Sequence, residues 1–449
     1  MLLSGGAFAQ PEAAGFLEEP GLKALIDQAL AARPELKRAR AEVEAARLVG
    51  PRVSALPDPM LELGIQNDGF TGLQIGQMET SFVSIMMSQT LPWPGKLGAA
   101  GRAADLLPKQ AEVISERIRL SVIAEVRRGY LELMLARDRL ELLGRLTEVW
   151  KQSAQLARSR YEVGDGAQSD VLRAQLELNR VQQRRLLVET DVRQRLTALN
   201  RLRGQPLDTA IETPLHLHTL APPPPSLVEG AFEAARGQSP EHQAATLALE
   251  AAEQQIRVAR QAFFPDLSFK AGLMPRGGTL PPMWSLSVGA TIPAYAAHKQ
   301  YKALDEAEAR VKAARSEVAA VDQLLELRLA QRRNALVGLR ENVRLYREGL
   351  LVQSLATAES TVAQYKVGKV GFLSVLEANA GYLADEEGCL RSTADAWRLA
   401  IADAELSLAE VPPLGSASME AGAPSMSVSS SATTAPAPGA APAAPGSGM

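Results

Sequence analysis

The residues with the greatest capacity for chemistry are four histidines, two of which are separated by a single residue. They are His216, His218, His242 and His298. Imidazole nitrogens bind transition metals. However, the pair at 216 and 218 lacks the i, i+4 spacing that would place both rings on one helical face, and it has no neighbouring cysteine. A proline run follows at 222–225. We therefore predict solvated linker histidines and no metal site.

Four methionines form a second group, because thioethers bind soft metals. Met60, Met78, Met86 and Met87 lie within one short stretch of the chain. The same side chains also fill irregular apolar space, and packing against lipid or neighbouring strands is the simpler interpretation. Neither this group nor any other motif supplies a convincing catalytic group or cofactor site, so the sequence predicts a protein that is not an enzyme.

A third group occurs twice, in two turns that share the pattern Tyr-x-Val-Gly. Glycine readily adopts the left-handed conformation that ends a helix. Ser169 or Asp170 is then expected to cap the following helix, and the two tyrosines are expected to fix helix packing beneath the turns. The candidate residues are Tyr161, Gly164, Asp165, Gly166, Ser169 and Asp170 in the first turn, and Tyr365, Gly368, Lys369 and Ser374 in the second.

The elements that must position these turns are long helices. The segment at about 95–163 contains almost no helix breaker except Pro108, and as a helix it would extend about 100 Å at about 1.5 Å per residue. Its apolar residues form a heptad-like seam. That seam is Val126, Tyr130, Leu133, Leu140, Leu143, Trp150, Ala154, Ala157 and Tyr161. Further helices are predicted at about 169–203, 296–367 and 371–410, and the longest of them must pack in a bundle or coiled coil.

The other elements are four short segments in which apolar and polar residues alternate. They are predicted as strands at about 60–68, 80–91, 266–274 and 283–292. Alternation places one type of side chain on each face of a strand, and about nine residues is close to the length that crosses a bilayer when tilted. The pattern by itself also fits half-buried hairpins of a soluble domain.

The order helix, helix, two strands, very long helix and medium helix occurs twice in the chain. It defines a first structural repeat at 17–206 and a second at 226–410, joined by a proline-rich linker at 207–225. Residues 1–16 are predicted to be a signal-peptide remnant or a disordered N-terminus. Residues 411–449, rich in Pro, Ala, Ser and Gly, are predicted to be a disordered tail.

Composition narrows the possible partners and the class of protein. The 449 residues carry a formal net charge of −3, which does not indicate a nucleic-acid partner. Aromatic residues make up only 4 % of the chain, and the prevalence of Ala, Leu, Arg, Glu and Gln is typical of long helices and coiled coils. The single cysteine, Cys389, permits no internal disulfide.

The duplication favours the membrane interpretation of the strands. Four amphipathic strands cannot close a barrel, and open sheet edges are not tolerated in lipid. A membrane barrel would therefore need at least two chains, and three chains would supply twelve strands. Soluble coiled-coil proteins have no reason to carry two hairpins of bilayer-spanning length.

The two-fold repeat with its paired Tyr-x-Val-Gly turns resembles the TolC-type outer-membrane efflux family over about residues 20–410. The segments 56–60 and 89–98 are similar to the heavy-metal and cation efflux branch of that family. The resemblance implies a mainly α fold with a small membrane β-barrel, assembled as a homotrimer. Such a trimer would lie in the Gram-negative outer membrane and span into the periplasm. It would act as a passive exit duct that docks on a periplasmic adaptor and an inner-membrane pump.

The resemblance also assigns roles to residues. The two turns would form the closed periplasmic mouth and the adaptor-docking surface, with Asp165 and Asp170 as rings of charge. The residues that would line the barrel lumen are Glu62, Gln66, Ser268, Lys270 and Ser285. Alternatives are a type I protein-secretion channel, a periplasmic adaptor and a soluble coiled-coil structural protein.

Overall fold

The protein is mainly helical, and its two halves share the order helices, two strands, long helix and medium helix, although the described part of the second half lacks two short helices of the first, Val49–Ser54 and Lys96–Ala104. The computed structural model describes residues 16–70, 72–224 and 231–410. The first half contains α1 (Pro20–Ala32), α2 (Pro34–Arg47), α3 (Val49–Ser54), β1 (Met60–Gln66), β2 (Phe82–Leu91), α4 (Lys96–Ala104), α5 (Leu106–Glu162) and α6 (Gln168–Leu202). The second half contains α7 (Ala231–Gln238), α8 (Pro240–Gln261), β3 (Asp266–Met274), β4 (Met283–Thr291), α9 (Gln300–Leu345), α10 (Leu351–Lys366) and α11 (Phe372–Ala404). The predicted duplicated fold of long helices and a small sheet is confirmed.

Two of the predicted long helices are interrupted. The helix expected at 95–163 breaks at Asp105, between α4 and α5. Pro108 lies in the first turn of α5, where a missing backbone N–H removes no intrahelical hydrogen bond. The helix expected at 296–367 begins only at Gln300 and contains a π turn at Tyr346–Leu350. The ring of Tyr346 packs on α11 at Gly388, where an added Cβ would lie 2.5 Å from the tyrosine hydroxyl.

The four strands form one antiparallel sheet in the order β1-β2-β3-β4, so β2 and β3 join the hairpins of the two halves. Residues that pair directly lie on the same face of a sheet. The register aligns apolar residues across all four strands, and one such row is Leu63, Ile85, Leu273 and Trp284. A second row is Leu61, Met87, Ala271 and Leu286. One face of the sheet is therefore largely apolar.

This apolar face is uncovered within the single chain. Leu61 is 66 % exposed, Leu286 is 69 % exposed and Trp284 is 76 % exposed. The outer strands β1 and β4 each pair with one neighbour in the described part of the chain. Among the described helices, none has the length and apolarity needed to cross a membrane.

A polar cluster ties the sheet to the helices at the boundary between the halves. Lys96, the first residue of α4, donates to Asp266 Oδ1 over 2.8 Å and to the carbonyl of Phe264 over 2.7 Å. The backbone N–H of Trp93 donates to the same Asp266 oxygen over 3.0 Å. The rings of Trp93 and Phe264 stack with centroids 5.6 Å apart. Residues that flank β2 and β3 thus fix the sheet against the start of the long helices.

The hydrophobic core of the helices includes a residue nearer the N-terminus than the predicted start of the first repeat at residue 17. Phe16, assigned above to the signal-peptide remnant, is fully buried and opens a 3₁₀ turn at Phe16–Glu18. Its ring centroid lies 6.0 Å from that of Tyr130 on α5 and 5.2 Å from that of Trp397 on α11. The boundary at residue 16 is therefore wrong, because this aromatic side chain completes the core. Residues 1–15, Pro225 at the end of the linker and the tail at 411–449 lie outside the described residues.

We predict that Phe16→Ala lowers the free energy of unfolding by about 3–5 kcal/mol, since it leaves a cavity between two buried aromatic rings. Denaturant unfolding of the detergent-solubilised protein, followed by circular dichroism, measures this loss. Phe70→Ala is the matched control because Phe70 is fully exposed. Equal midpoints for the two variants would contradict the assignment of Phe16 to the core.

Candidate functional site

The two Tyr-x-Val-Gly turns have the same backbone geometry. Gly164 has φ 85° and Gly368 has φ 76°, the left-handed conformation expected after a helix. In the first turn, the N–H of Gly164 donates to the carbonyl of Tyr161 and that of Asp165 to the carbonyl of Arg160. The second turn repeats both bonds, from Gly368 to Tyr365 and from Lys369 to Gln364. Each turn is a Schellman motif that satisfies carbonyl groups at the helix end.

The helix that follows the first turn is capped differently from the expectation. It begins at Gln168 with Ala167 at the N-cap, and no side-chain bond caps it. Ser169 and Asp170 therefore lie within the first turn of α6, and the prediction that one of them is the cap is wrong. The equivalent helix α11 begins at Phe372 after Gly371, which places Ser374 in its first turn.

The carboxylate of Asp170 contacts the other turn instead. The hydroxyl of Tyr365 donates to Asp170 Oδ2 over 3.3 Å. Tyr365 is only 2 % exposed, and its ring packs edge-on against Phe372 with centroids 5.3 Å apart. Burial, the charge of Asp170 and this hydrogen bond raise the pKa of Tyr365 to about 12. This contact joins the two repeats at the tip of the helices.

Arg160 makes the other connection between the turns, and it is not among the residues predicted from the sequence. Its guanidinium donates to the carbonyl of Tyr365 and, over 2.9 Å, to the carbonyl of Asp165. The same group lies 4.8 Å from the centroid of the Tyr365 ring, within the range of a cation–π interaction. The signal that could have revealed it is a departure from the internal repeat, because glutamine stands at the equivalent position 364.

The remaining turn residues are arranged asymmetrically. Tyr161, expected to pack beneath its turn, is 47 % exposed, so that expectation holds only for Tyr365. Asp165, Ser169 and Lys369 are exposed, whereas Gly166 and Ser374 are partly buried. The valines of the motif are both exposed, Val163 by 72 % and Val367 by 68 %. The tip thus presents one apolar side chain from each repeat beside a charged rim.

The five residues proposed for the lumen share the face opposite the apolar rows. Glu62 pairs with Met86, which is followed across the sheet by Gly272 and Ser285. Lys270 lies between Ser88 and Ser287. Gln66 and Ser268 belong to the same face by the two-residue period of a strand. Met86 and Met87 point to opposite faces, so the four methionines do not converge on one site.

The histidine pair of the linker is not fully solvated, contrary to the expectation. Nδ1 of His216 lies 2.7 Å from Oδ1 of Asp138 on α5, and Asp138 is buried. The rings of His216 and His218 lie with centroids 5.2 Å apart. Asp138 was not singled out from the sequence, because an acidic residue on a long charged helix carries no distinguishing pattern. Only the folding of the linker onto α5 brings the three residues together.

Comparison with known proteins agrees with this architecture. The chain is 29 % identical over 272 residues to the protein CyaE of Bordetella pertussis, a match that covers 58 % of this chain and 56 % of that protein. It is 28 % identical over 275 residues to the toluene efflux pump outer membrane protein TtgF of Pseudomonas putida, with coverages of 57 % and 54 %. The chain spans just over half the length of these curated relatives.

Solved structures show the same fold. The outer-membrane channel OprN matches with a TM-score of 0.72 at 23 % identity, covering 87 % of this chain and 91 % of that one. A family model described as outer membrane efflux protein matches residues 25–205 and 231–408. These residues make up most of the chain and include all four strands. The chain therefore belongs to the outer membrane efflux protein family.

Proposed function

We propose that the protein is the outer-membrane channel of a tripartite efflux system, a passive duct across the outer membrane and the periplasm. The observation that carries this proposal is the four-stranded sheet, which has a largely apolar face, a mainly polar face and outer strands with one partner each in the described part of the chain. In lipid every backbone polar group must be paired, so this sheet requires further strands. The Gram-negative outer membrane is the location in which such strands would be inserted.

Three copies of the chain would complete the barrel. Joining β1 of one copy to β4 of the next gives a closed sheet of twelve strands, and closure removes every open edge. The apolar rows through Leu61 and Leu63 would then face lipid, and Glu62, Gln66, Ser268, Lys270 and Ser285 would line a hydrated lumen. A barrel with an apolar outside and a polar inside has the distribution expected in a membrane.

The tip formed by the two turns would be the periplasmic mouth. The bonds from Tyr365 to Asp170 and from Arg160 to the carbonyl of Tyr365 tie the helical hairpins of the two repeats together. Repeated three times, they would hold a constriction closed, and Asp165 and Asp170 would form rings of negative charge. Opening would require that these bonds break while the helices stay folded, which is a small displacement of packed hairpins.

A periplasmic adaptor and an inner-membrane pump are the proposed partners. The exposed side chains of Val163 and Val367, next to Asp165 and Lys369, offer an apolar and charged docking surface at the tip. A partner that binds the open tip more tightly than the closed one would shift the population toward opening. Energy would come from the pump, since a duct only needs to be open.

The cargo is a separate question. The name of TtgF assigns toluene efflux to that relative, whereas the segments 56–60 and 89–98 are similar to the heavy-metal and cation efflux branch of the family. Export of heavy-metal ions stays a prediction, and type I protein secretion is the alternative to it. Export profiling in a strain that lacks this protein, with toluene, divalent metals and secreted proteins as cargoes, separates them.

The channel function itself is tested with the purified full chain in planar lipid bilayers. We expect discrete conductance steps and a cross-linked species of three chains in native membranes. Recovery of the chain in the buffer-soluble fraction without detergent, or cross-linking that returns only single chains, would contradict the proposal. That outcome would instead favour a soluble coiled-coil structural protein or a periplasmic adaptor.

The contact between Tyr365 and Asp170 predicts a moderate gating effect. Asp170→Ala and Tyr365→Phe each remove one hydrogen-bonding group, a loss of about 0.5–1.5 kcal/mol, so we expect conductance to rise by about two- to ten-fold. Thermal unfolding should change little, because the partners lie at the helix ends. Single-channel recording measures the rise, and Tyr161→Phe is the matched control because Tyr161 is half exposed and equivalent in the repeat.

The same contact predicts a dependence on pH. The raised pKa of Tyr365, about 12, means that the closed tip favours the protonated phenol. The free energy by which protonated Tyr365 stabilises the closed tip is fully present below the usual tyrosine pKa of about 10. It is lost as the pH rises through the raised pKa. Conductance should therefore rise over this alkaline range in the wild-type protein, and Tyr365→Phe should remove the rise. An identical alkaline rise in this variant would exclude Tyr365 as its source.

A further inference from the structure

The linker between the two repeats is held against α5 by a buried carboxylate. Both oxygens of Asp138 are directed at the linker: Oδ2 accepts from the backbone N–H of Leu217 over 2.6 Å, and Oδ1 lies 2.7 Å from Nδ1 of His216. The side chain of Asp138 is 3 % exposed, whereas that of His216 is 43 % exposed. A buried carboxylate of α5 thus lies next to two histidines of the linker, one partly exposed and one exposed.

Few positively charged groups lie near the negative charge of Asp138. Among the described residues, His216 is the one basic side chain within ion-pair distance of this carboxylate. The neighbouring Arg137 is directed elsewhere, to the hydroxyl of Thr213 and the carbonyl of Ile211. A buried carboxylate is costly unless a cation or several hydrogen bonds stabilise it. A neutral imidazole provides a hydrogen bond but no charge, so the site is suited to an added cation.

The donor set is that of a transition-metal site. One ligand atom from each of Asp138, His216 and His218 lies within 4.8 Å of the other two. The carboxylate of Glu141 lies 3.8 Å from Nδ1 of His216 and is exposed, so it is available as a fourth ligand. Two imidazoles with a carboxylate favour Zn²⁺, Cu²⁺ or Ni²⁺, whereas Mg²⁺ and Ca²⁺ prefer oxygen ligands.

We propose that Asp138, His216 and His218 form a binding site for a divalent transition metal, Zn²⁺ in the first instance, that fastens the inter-repeat linker to α5. None of its residues belongs to the turns at the tip or to the set proposed for the barrel lumen. The site also includes a histidine pair whose one-residue spacing carries no helical signature, so the sequence alone predicted solvated histidines there.

For the pair Asp138 and His216 the required movement is small. Ligand atoms about 2.0–2.1 Å from a tetrahedral Zn²⁺ lie about 3.3 Å apart, so the 2.7 Å contact between Asp138 and His216 must lengthen by about 0.6 Å. The ring of His216 is partly exposed and that of His218 is exposed, so both have room to turn. The bond from the N–H of Leu217 to Oδ2 can persist and orient the carboxylate, the role that outer hydrogen bonds have in metal sites.

The position of the site indicates its consequence. Arg347, in the π turn at Tyr346–Leu350, donates to the carbonyls of Leu217 and Leu220 over 3.2 and 2.7 Å. The linker at the site is therefore bonded to the long helix of the first repeat and to the π turn of the second. A bound metal would strengthen the first of these connections and reduce the freedom of the linker between the repeats.

The test uses the detergent-purified full chain without a polyhistidine tag, freed of metal with a chelator. Isothermal titration with Zn²⁺ should give one ion per chain with micromolar affinity, and Co²⁺ should give the visible absorption of a tetrahedral nitrogen–oxygen site. His218→Ala should weaken Zn²⁺ binding at least about ten-fold, and the double variant His216→Ala/His218→Ala should abolish it. His298→Ala is the matched control, since His298 is exposed and lies outside the site.

The isosteric variant Asp138→Asn separates ligation from packing, because it preserves the size of the side chain and the acceptor for Leu217. It should bind Zn²⁺ more weakly than the wild type while its circular dichroism stays unchanged. Zn²⁺ binding by the double variant equal to that of His298→Ala would overturn the proposal, as would absence of a one-to-one site in the wild type. None of these measurements requires transport, so they succeed or fail separately from the channel function.

Discussion

Leu286→Arg is expected to prevent stable insertion of the protein into the outer membrane. Leu286 lies in β4, in the apolar row with Leu61, Met87 and Ala271, and it is 69 % exposed in the single chain. An arginine on the lipid face of a barrel costs about 2–4 kcal/mol near the middle of the membrane. In the proposed homotrimer the cost is incurred once in every chain, so the combined penalty is comparable with the net stability of a typical fold.

Ser287→Arg is the matched control for this prediction. Ser287 is the next residue of the same strand and pairs with Lys270 on the polar face, where an arginine would meet a hydrated lumen. Outer-membrane fractionation together with heat-dependent mobility on gels measures how much of the proposed trimer is folded and inserted. We expect strong loss for Leu286→Arg and only a small loss for Ser287→Arg, since its repulsion from Lys270 costs about 0.2–1 kcal/mol. Leu267→Arg, in another apolar row, should behave like Leu286→Arg. Normal insertion of both leucine variants would show that the assignment of faces is wrong.

Arg160→Ala is expected to produce the largest gating effect in the tip. Arg160 donates to carbonyls in both turns and lies over the ring of Tyr365, so one substitution removes three interactions. A hydrogen bond from a charged group contributes about 1.5–3 kcal/mol when buried. Partial exposure of Arg160 reduces this value, and we expect a loss of about 1–2 kcal/mol per chain. Single-channel recording should show conductance or open probability raised by about five- to thirty-fold.

The control for Arg160→Ala is Arg158→Ala, two residues earlier on the same helix. Arg158 is exposed and pairs with Glu162 one turn along α5, a contact within one helix that does not join the repeats. Its removal should leave conductance unchanged. If Arg158→Ala opened the channel as much as Arg160→Ala, a general change of charge at the tip would explain the effect. If Arg160→Ala left the conductance unchanged, Arg160 would have no part in closing the mouth.

Periodicity made much of this architecture predictable. The apolar spacing of 126–161 led to the long helix α5, and alternation located all four strands to within a few residues. These patterns are local, since the helical and extended backbones have fixed periods of about 3.6 and 2.0 residues. The left-handed glycines Gly164 and Gly368 were predictable for the same reason, because few other residues adopt that conformation at low cost.

The predictions that proved wrong concern positions where local interactions compete with contacts to residues far away in the chain. Asp170 is a residue type that is favoured at N-caps, yet its carboxylate accepts a hydrogen bond from Tyr365, which is far away in the chain. Phe16 follows a segment that resembles a processing site, yet it is enclosed by Tyr130 and Trp397. In both positions a tertiary contact outweighed the local preference, and that contact has no signature within a short window of sequence.

From the sequence alone one can predict the duplicated order of helices and strands, the amphipathic faces and the two equivalent turns, because each depends on residues close together in the chain. The folded structure was needed to show that β2 pairs with β3, that Arg160 and Tyr365 connect the repeats, and that Asp138 meets His216 and His218. Those contacts form between residues separated by long stretches of chain. Their partners are selected by how whole helices and strands pack, which no local pattern encodes.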